Sequence, residues 1–470
     1  EGFTIVGTDR GHWDAPEIAR GKAVFGVDVR VPGMLFAVLA RCPVTGGKPA
    51  SFDEAEALKV DGVKRVVAVD NKIAVVASNT WAAVKGRQAL TITWDEGKKA
   101  ALNSETMLAE LTSKLPKPGS AGPGSLEAIY QIPYQAHETM EPMNCTADVR
   151  ADRAEIWAAT QDAQRLKSSV AGEIDLPGDS VTVHVTLAGG AFGRRHIPDA
   201  AVEAAQLSKA MGAPVQVLWT RDDDIQHDVF HPMSVHYASA DLSNPARPRL
   251  RSISNTTDLP TGYWRSVENF PEAFARESFV DEMAAALKRD PLDLRRELYA
   301  GRGLAVTELA AEKIGWGTPL APPRGRGLAY HATFGVTHVA HALEIEVEPG
   351  GRVRLVRAVC AVDCGRVINP DGVRAQMEGG LVFGLTAALM GGVTIENGRV
   401  RDSNFHDAPI MRMDQMPQVE VYIMESDQAP SGIGEMGVPP AAPALCNAIF
   451  AATGKRIRRL PIALTDLRSA

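Results

Sequence analysis

Ser431-Gly-Ile-Gly-Glu-Met-Gly-Val-Pro-Pro440, followed directly by Ala441-Ala-Pro-Ala-Leu-Cys-Asn-Ala-Ile-Phe-Ala-Ala-Thr-Gly454, constrains this chain more than any other stretch. It sets one carboxylate, Glu435, in a tight glycine-flanked loop just ahead of an apolar helix that Pro440 or Pro443 opens and Gly454 closes. Glycines at 432, 434 and 437 let the backbone turn sharply and approach a neighbouring group. A carboxylate carried into an apolar interior has a raised pKa and is suited to act as a general base. Read alone, the same pattern also describes a turn glutamate facing water.

The length of 470 residues suggests roughly three domains at about 150 residues each. Hydrophobic residues at 45% and charged residues at 23% predict a globular protein with a large core. A net charge of -7 gives no reason to expect nucleic acid or an anionic membrane as partner. No apolar run reaches the roughly 18 residues of a spanning helix. No secretory signal follows Glu1, which predicts a cytoplasmic, processed or fragmentary chain. The five cysteines are scattered. Cys360 and Cys364 lie close together but no second pair follows, so neither a zinc nor an iron–sulfur site is expected, and buried free thiols are.

Val63–Val69 and Ile73–Ala77 predict a hairpin around Asp70-Asn71-Lys72, with a short helix from Thr80 as N-cap and a strand over 90–94. Pro116 to Ser125 reads as a linker. Strands over 154–158, 180–187 and 215–219 alternate with a helix over 200–209, which argues for a mixed α/β architecture. A further helix is predicted from about Phe274, and the next from Pro291.

Val181-Thr-Val-His-Val-Thr-Leu-Ala-Gly-Gly-Ala-Phe-Gly-Arg-Arg195 is a strand entering a glycine-rich turn, then a helix near Pro198. The turn's N–H groups, beside Arg194 and Arg195, suit a phosphate or another anionic cofactor group, although a purely structural turn fits equally. It matches neither the dinucleotide fingerprint nor a Walker loop, which weakens an NAD-linked reading. In Tyr134-Gln-Ala-His-Glu-Thr-Met-Glu-Pro142, Gln135 offers a hydrogen bond to a ligand oxygen or simply packs. Tyr263-Trp-Arg-Ser266 sets a guanidinium among aromatics, either as an anion clamp or as a surface cation–π contact. His227 and His231, four apart, are placed to share a helix face, without a third metal ligand. Asp222, Asp223 and Asp224 read as capping or solvated acids.

Six ordered blocks together resemble the molybdenum-binding large subunits of the xanthine dehydrogenase and aldehyde oxidase family, of the isoquinoline 1-oxidoreductase beta-subunit type. They are Gly21-Lys-Ala-Val-Phe-Gly-Val-Asp28, His137 to Cys145, Gly189 to Arg194, Trp219 to His227, Val362 to Pro370, and Gly434 to Pro440. The resemblance implies an α+β fold: a small α/β-hammerhead-like domain over 1–112, a linker over 113–125, and a molybdenum cofactor-binding domain in two parts, 126–326 and 327–470. It implies a catalytic Glu435, and a molybdenum–pterin cofactor beside Gln135, Gly190, Ala191, Phe192, Gly193, Arg194, Gln376 and Gly434. No protein atom is implied as a direct metal ligand. Arg265 and His196 are implied at the substrate. His196 takes the place of a substrate glutamate of xanthine-type enzymes, which argues against a purine. The resemblance further implies oxidation of an N-heteroaromatic compound or an aldehyde with oxygen from water. The pterin would carry cytosine dinucleotide, and electrons would pass to a small partner subunit with two [2Fe-2S] clusters, then to a cytochrome c or another acceptor. By resemblance the location is periplasmic. The Met-Gly-Gln-Gly-like pterin motif of such subunits does not occur in this sequence. The rival reading is a non-catalytic remnant serving as scaffold or assembly protein.

Overall fold

The computed structural model describes residues 3–465, 467 and 468. Glu1, Gly2, Asp466, Ser469 and Ala470, which the expected domain bounds include, lie outside the described residues. The chain is of mixed α/β type, with its strands gathered into a seven-stranded, a four-stranded and a three-stranded sheet and two short ribbons.

The seven-stranded sheet contains strands from both sides of residue 112. Leu35–Ala40 pairs antiparallel with Lys72–Ala77 on one side and parallel with Val215–Leu218 on the other. The 1–112 segment therefore shares its main sheet with the part that follows, although Lys48–Asp53 and Thr91–Asp95 form a ribbon within it. The reason is in its composition: Ile73-Ala-Val-Val-Ala77 is apolar on both faces, so it needs cover above and below. The hairpin Val63–Val69 and Lys72–Ala77 turns on Asp70-Asn71 alone, with Lys72 already in the strand and Asp70 at φ +50°. Asn79, not Thr80, caps the helix Thr80–Ala89, accepting from Ala82 N. A helix absent from the sequence reading, Ser104–Ser113, precedes the linker and buries Met107, Leu108 and Leu111 against Tyr134 and Phe230.

Two long helices cross the second half. Asn269–Ala286 begins five residues before the expected Phe274, because Pro271 is tolerated in a first turn that needs no N–H partner. It is buried nearly all round. Glu277 at its centre pairs with Arg295 at 2.9 Å, accepts from Tyr330 N at 3.0 Å, and takes the Tyr299 hydroxyl. A carboxylate this deep is tolerated because each oxygen has a donor. The four-stranded sheet, Arg324–Thr333, Thr337–Val347, Val353–Asp363 and Gln418–Ile423, carries the helix Ala441–Thr453 on one face. That contact is backbone to backbone at Gly327, where a Cβ would sit 2.1 Å from Ala444 O. The strand is thus the seat of the helix that follows the Glu435 loop. Gly454 ends this helix at φ +72°, as expected.

All five cysteines are free and buried, also as expected. His227 and His231 do not share a helix face. The helix Arg221–Gln226 stops at His227, its first turn capped by Thr220 and Asp223. Among the described residues no helix is long and apolar enough to cross a membrane.

Five histidines that the fold desolvates give it a pH limit. Burial pushes His227, His231, His236 and His331 down to about 4 and His341 to about 3. Their folded values lie below the unfolded value near 6.5, so the unfolded chain binds more protons in between. Stability present above pH 6.5 is lost as pH falls toward 4, by up to roughly 3 kcal/mol per histidine. Thermal midpoints measured from pH 7 to 4.5 should fall continuously, and a flat profile would contradict the assignment. Neither ring nitrogen of His341 has a partner, so His341→Leu should flatten the profile without lowering stability at pH 7.

Candidate active site

The Glu435 loop is tied down where it begins. Ser431 donates from N and Oγ to Cys364 O at 2.9 and 3.0 Å, and Thr337 Oγ1 donates to Gly432 O at 2.7 Å. At the centre, Glu435 Oε1 accepts from Ser266 N at 2.9 Å. Arg265 Nε donates to Gly434 O at 2.8 Å, and its Nη2 reaches Gln376 Oε1 at 2.8 Å. One dipeptide, Arg265-Ser266, therefore fixes both the loop and its carboxylate, and links them to the helix Pro370–Leu389 that carries Gln376. Ser266 is wholly buried at φ +77° and Val267 follows at φ +43°. Two successive non-glycine residues in this region store strain of about 1–3 kcal/mol each, and such strain clusters at functional sites. Burial pushes the Arg265 guanidinium down to about 10, against the pull of Glu435.

Glu435 and Gln376 line a cavity of about 870 Å³ together with Ala191, Phe192, Gly193, His196, Tyr263, Arg265 and Gly434. His196 meets Tyr263 edge-on, ring centroids 5.2 Å apart. A second lobe of about 540 Å³ adjoins it, sharing Phe192, Trp264, Arg265, Ala375 and Gly379. Gln135 lines this second lobe. Its backbone exchanges hydrogen bonds with His231, while its side-chain Nε2 is buried without a partner. Gly190 packs against Phe192 and Thr139. Every functional residue expected from sequence except Arg194 thus sits at or beside two joined lobes.

Arg194 is a correction. Its guanidinium turns inward, 1% exposed, to Asp199 at 2.7 Å and Asp228 at 2.9 Å. Arg195 likewise turns to Glu141 at 3.1 Å and to Gly190 O at 2.7 Å. Buried carboxylates must be paired, so these arginines brace the glycine turn from behind and are not offered to an anion in front. The turn itself bends through Gly190 at φ +103°, Phe192 at φ +52° and Gly193 at φ +108°.

Several lining residues escaped the sequence reading. Phe383 stands seven residues after Gln376 on one helix, two turns on and on the same face, so a helical projection from Gln376 finds it. Phe383 packs on Phe192 and Trp264 at 4.9 and 4.6 Å. Glu138 and Gln161 carry no such signal.

An unpartnered buried amide in one lobe, beside a glycine turn shared with the adjoining lobe, fits an oxygen-rich group. Comparison with known proteins identifies the group. The molybdopterin cofactor-binding domain families match residues 121–241 and 276–417. The chain is 31% identical to the beta subunit of isoquinoline 1-oxidoreductase from Brevundimonas diminuta, over 98% of this chain and 68% of that protein. The chain belongs to the molybdopterin-binding large subunits of the xanthine dehydrogenase and aldehyde oxidoreductase family.

It is a subunit of a molybdenum-containing oxidoreductase. One nicotinate dehydrogenase subunit of Pseudomonas putida is 26% identical, over 100% of this chain and 47% of that protein. In fold it is similar to quinoline 2-oxidoreductase from Pseudomonas putida 86, with TM-score 0.86, 14% identity, and 98% and 97% of the two chains covered. The aldehyde oxidoreductase of Desulfovibrio gigas gives TM-score 0.83 at 14% identity, with 99% and 81% covered. The first matched segment ends at 241 and the second begins at 276, and the Glu435 loop follows the second.

Gly193 tests how tightly this family site is assembled. A Cβ there would lie 1.9 Å from Tyr263 O, whereas Gly212, also left-handed at φ +65°, has nothing within 4 Å. Gly212→Ala should cost about 1–2 kcal/mol, the price of the backbone alone. Gly193→Ala should cost clearly more, because Tyr263-Trp264-Arg265 must also move, and urea unfolding of both variants measures the difference. Equal losses would show that the two segments are not in contact.

Proposed function

We propose that the chain is the large subunit of a molybdenum hydroxylase, with Glu435 as its general base. It would oxidise an N-heteroaromatic compound or an aldehyde using oxygen from water and pass electrons to a separate [2Fe-2S] subunit. The observation that carries this reading is the Glu435 carboxylate, held by Ser266 N–H at the wall of a cavity where Arg265 and Gln376 converge. In this reading Gln135, the Gly190–Gly193 turn, Gly434 and Gln376 hold the pterin cofactor, of the cytosine dinucleotide form, between the two lobes. When bound, that group supplies a two-electron redox centre and the site from which a water-derived oxygen reaches the substrate.

The chain's own residues set the proton chemistry. Ser266 N–H occupies Oε1 of Glu435, which leaves Oε2 to take a proton. Arg265 brings positive charge to the cavity wall, where it would steady negative charge developing on a substrate oxygen or ring nitrogen. Aromatic walls from Phe192, Trp264 and Phe383 exclude water and suit a flat ring. His196 and Tyr263 meet edge-on in the cavity wall, and His196 stands where the family resemblance would put a substrate glutamate. The domain organisation follows the same reading. A hammerhead-like part reaches about residue 112 and completes its sheet with the neighbouring part. The linker is 113–125, and the cofactor-binding domain has two parts, 126–326 and 327–470.

Co-expression with the small iron–sulfur subunit in a molybdenum-competent host tests this. About one molybdenum and one pterin per chain are expected. Glu435→Gln should cut kcat by roughly 10²–10⁴-fold or more while the metal stays bound. A folded complex without molybdenum would favour a scaffold role instead. Loss of metal in the Glu435→Gln variant would make Glu435 part of the cofactor's hold and not the base.

A further inference from the structure

The hairpin joining Arg324–Thr333 to Thr337–Val347 ends in a turn that its own sequence does not favour. Phe334 at φ +52° and Gly335 at φ +72° are both left-handed, where a tight hairpin turn ordinarily carries Asn-Gly or Gly-Gly. A phenylalanine is strained there. Its ring is 49% exposed, and among the described residues no other ring or guanidinium packs on it. The ring instead lines the Glu435 cavity, as do Val267 and Tyr263, itself 51% exposed. Two half-exposed aromatic side chains thus mark where the cavity opens to solvent. The turn that carries Phe334 is held in place. Thr333 and Thr337 on either side are fully buried, and Thr337 Oγ1 reaches Ser431 Oγ at 2.6 Å and Gly432 O at 2.7 Å, three residues before Glu435. Arg302 donates to Val336 O at 3.1 Å while bound to Asp363 at 2.7 Å. Phe334 N donates to Asn269 Oδ1 at 3.5 Å, and His331 Nε2 meets the same oxygen at 2.9 Å.

We propose that Phe334 is a specificity-determining residue: with Tyr263 it forms an apolar collar that takes the flank of the substrate remote from the carbon that reacts. The inference rests on the hydroxylase reading above and deepens it. Among aldehydes and ring compounds alike, the site favours molecules with an aryl or alkyl flank that reaches the collar over small ones that end short of it. A bound flank covers two aromatic surfaces that otherwise face water, which is favourable both by apolar burial and by contact between rings. A short or polar substrate leaves them wet. The strain at Phe334 has the same meaning. Asparagine or glycine would make this turn more easily, so the fold alone gives no reason for a phenylalanine, whereas a ligand that packs on the ring does. Because Thr337 ties the turn to the Glu435 loop, the collar stands at a fixed distance from the proposed base, and flank and reacting carbon are measured from one frame.

The test titrates acetamide and 3-phenylpropanamide, which share one polar head and differ in the flank, into the complex of the chain with its small iron–sulfur subunit. The wild type should bind the phenyl compound more tightly. Phe334→Ala should shrink that ratio by about tenfold while acetamide binds as before. Phe334→Tyr, which keeps a ring, should retain most of it. Phe334→Asn should shrink the ratio as alanine does, yet unfold in urea at the same midpoint as the wild type or a higher one, because asparagine tolerates a left-handed backbone. A ring that merely supported the fold would give the reverse, so a midpoint well below wild type in Phe334→Asn overturns the proposal. An unchanged ratio in Phe334→Ala overturns it, as does a wild type without any preference. Loss of the small subunit from Phe334→Ala on purification would assign the ring to that interface and overturn it too. Molybdenum content measured on the same samples separates the two readings. Metal present with an unchanged ratio fails the collar alone, and a ratio that shrinks in a complex without metal fails the hydroxylase reading alone.

Discussion

Asp228 is the buried charge on which the site depends. It is 1% exposed, yet it accepts from His137 N at 2.6 Å and meets His137 Nδ1 at 2.9 Å and Arg194 Nε at 2.9 Å. Burial alone would favour its protonation, but His137 and Arg194 outweigh that and hold the carboxyl below its ordinary range. Through His137 it fixes the Gln135–Met140 loop, and through Arg194 it fixes the glycine turn. The same imidazole reaches Tyr263 O from its other nitrogen, and so locates the segment that holds Glu435. Three stretches far apart in sequence are thus referenced to a single carboxylate. Breaking a buried pair from one side costs about 3–5 kcal/mol, so none of these three segments can drift without unpairing a charge.

The element types were largely readable because their signals are local. The hairpin at Asp70-Asn71, the helix closed by Gly212 and the apolar helix ended by Gly454 each carry their own turn or cap residue. Glu435 was readable for the same reason: glycines and prolines around one acid describe a loop before a helix. What sequence did not disclose depends on distance. The parallel pairing of Leu35–Ala40 with Val215–Leu218 joins strands separated by most of the first half of the chain. Nothing in either strand names the other. Arg194 and Arg195 were misjudged for a related reason. A pair of arginines after a glycine turn reads as an anion site only until their carboxylates, Asp199, Asp228 and Glu141, are seen behind them.

The residues that hold the Glu435 carboxylate were hidden more deeply. Ser266 acts through its backbone N–H, an atom common to every residue but proline, so its side-chain identity carries no trace of the role. Its positive φ would be announced by a glycine, and the chain places a serine and a valine there instead. Conformational strain of this kind is visible only once the surrounding packing is known.

Ser266 and Arg265 also explain why the loop tolerates its own glycines. Gly432 and Gly434 allow the turn but lower its rigidity, because a glycine backbone loses more freedom on ordering than any other. The general base proposed for Glu435 would have to be held to within a few tenths of an ångström, which such a loop cannot do unaided. Rigidity is therefore imported: Ser266 N–H takes one carboxylate oxygen, Arg265 takes the Gly434 carbonyl, and Trp264 anchors both by donating to Ala136 O at 3.1 Å from a buried ring. The loop supplies the acid and the approach, and the neighbouring strained segment supplies its aim. Since Ala136 lies between Gln135 and His137, that aim refers back to the same loop that Asp228 holds. The Glu435 carboxylate, the Gln135 amide and the aromatic wall therefore move, if at all, as one body.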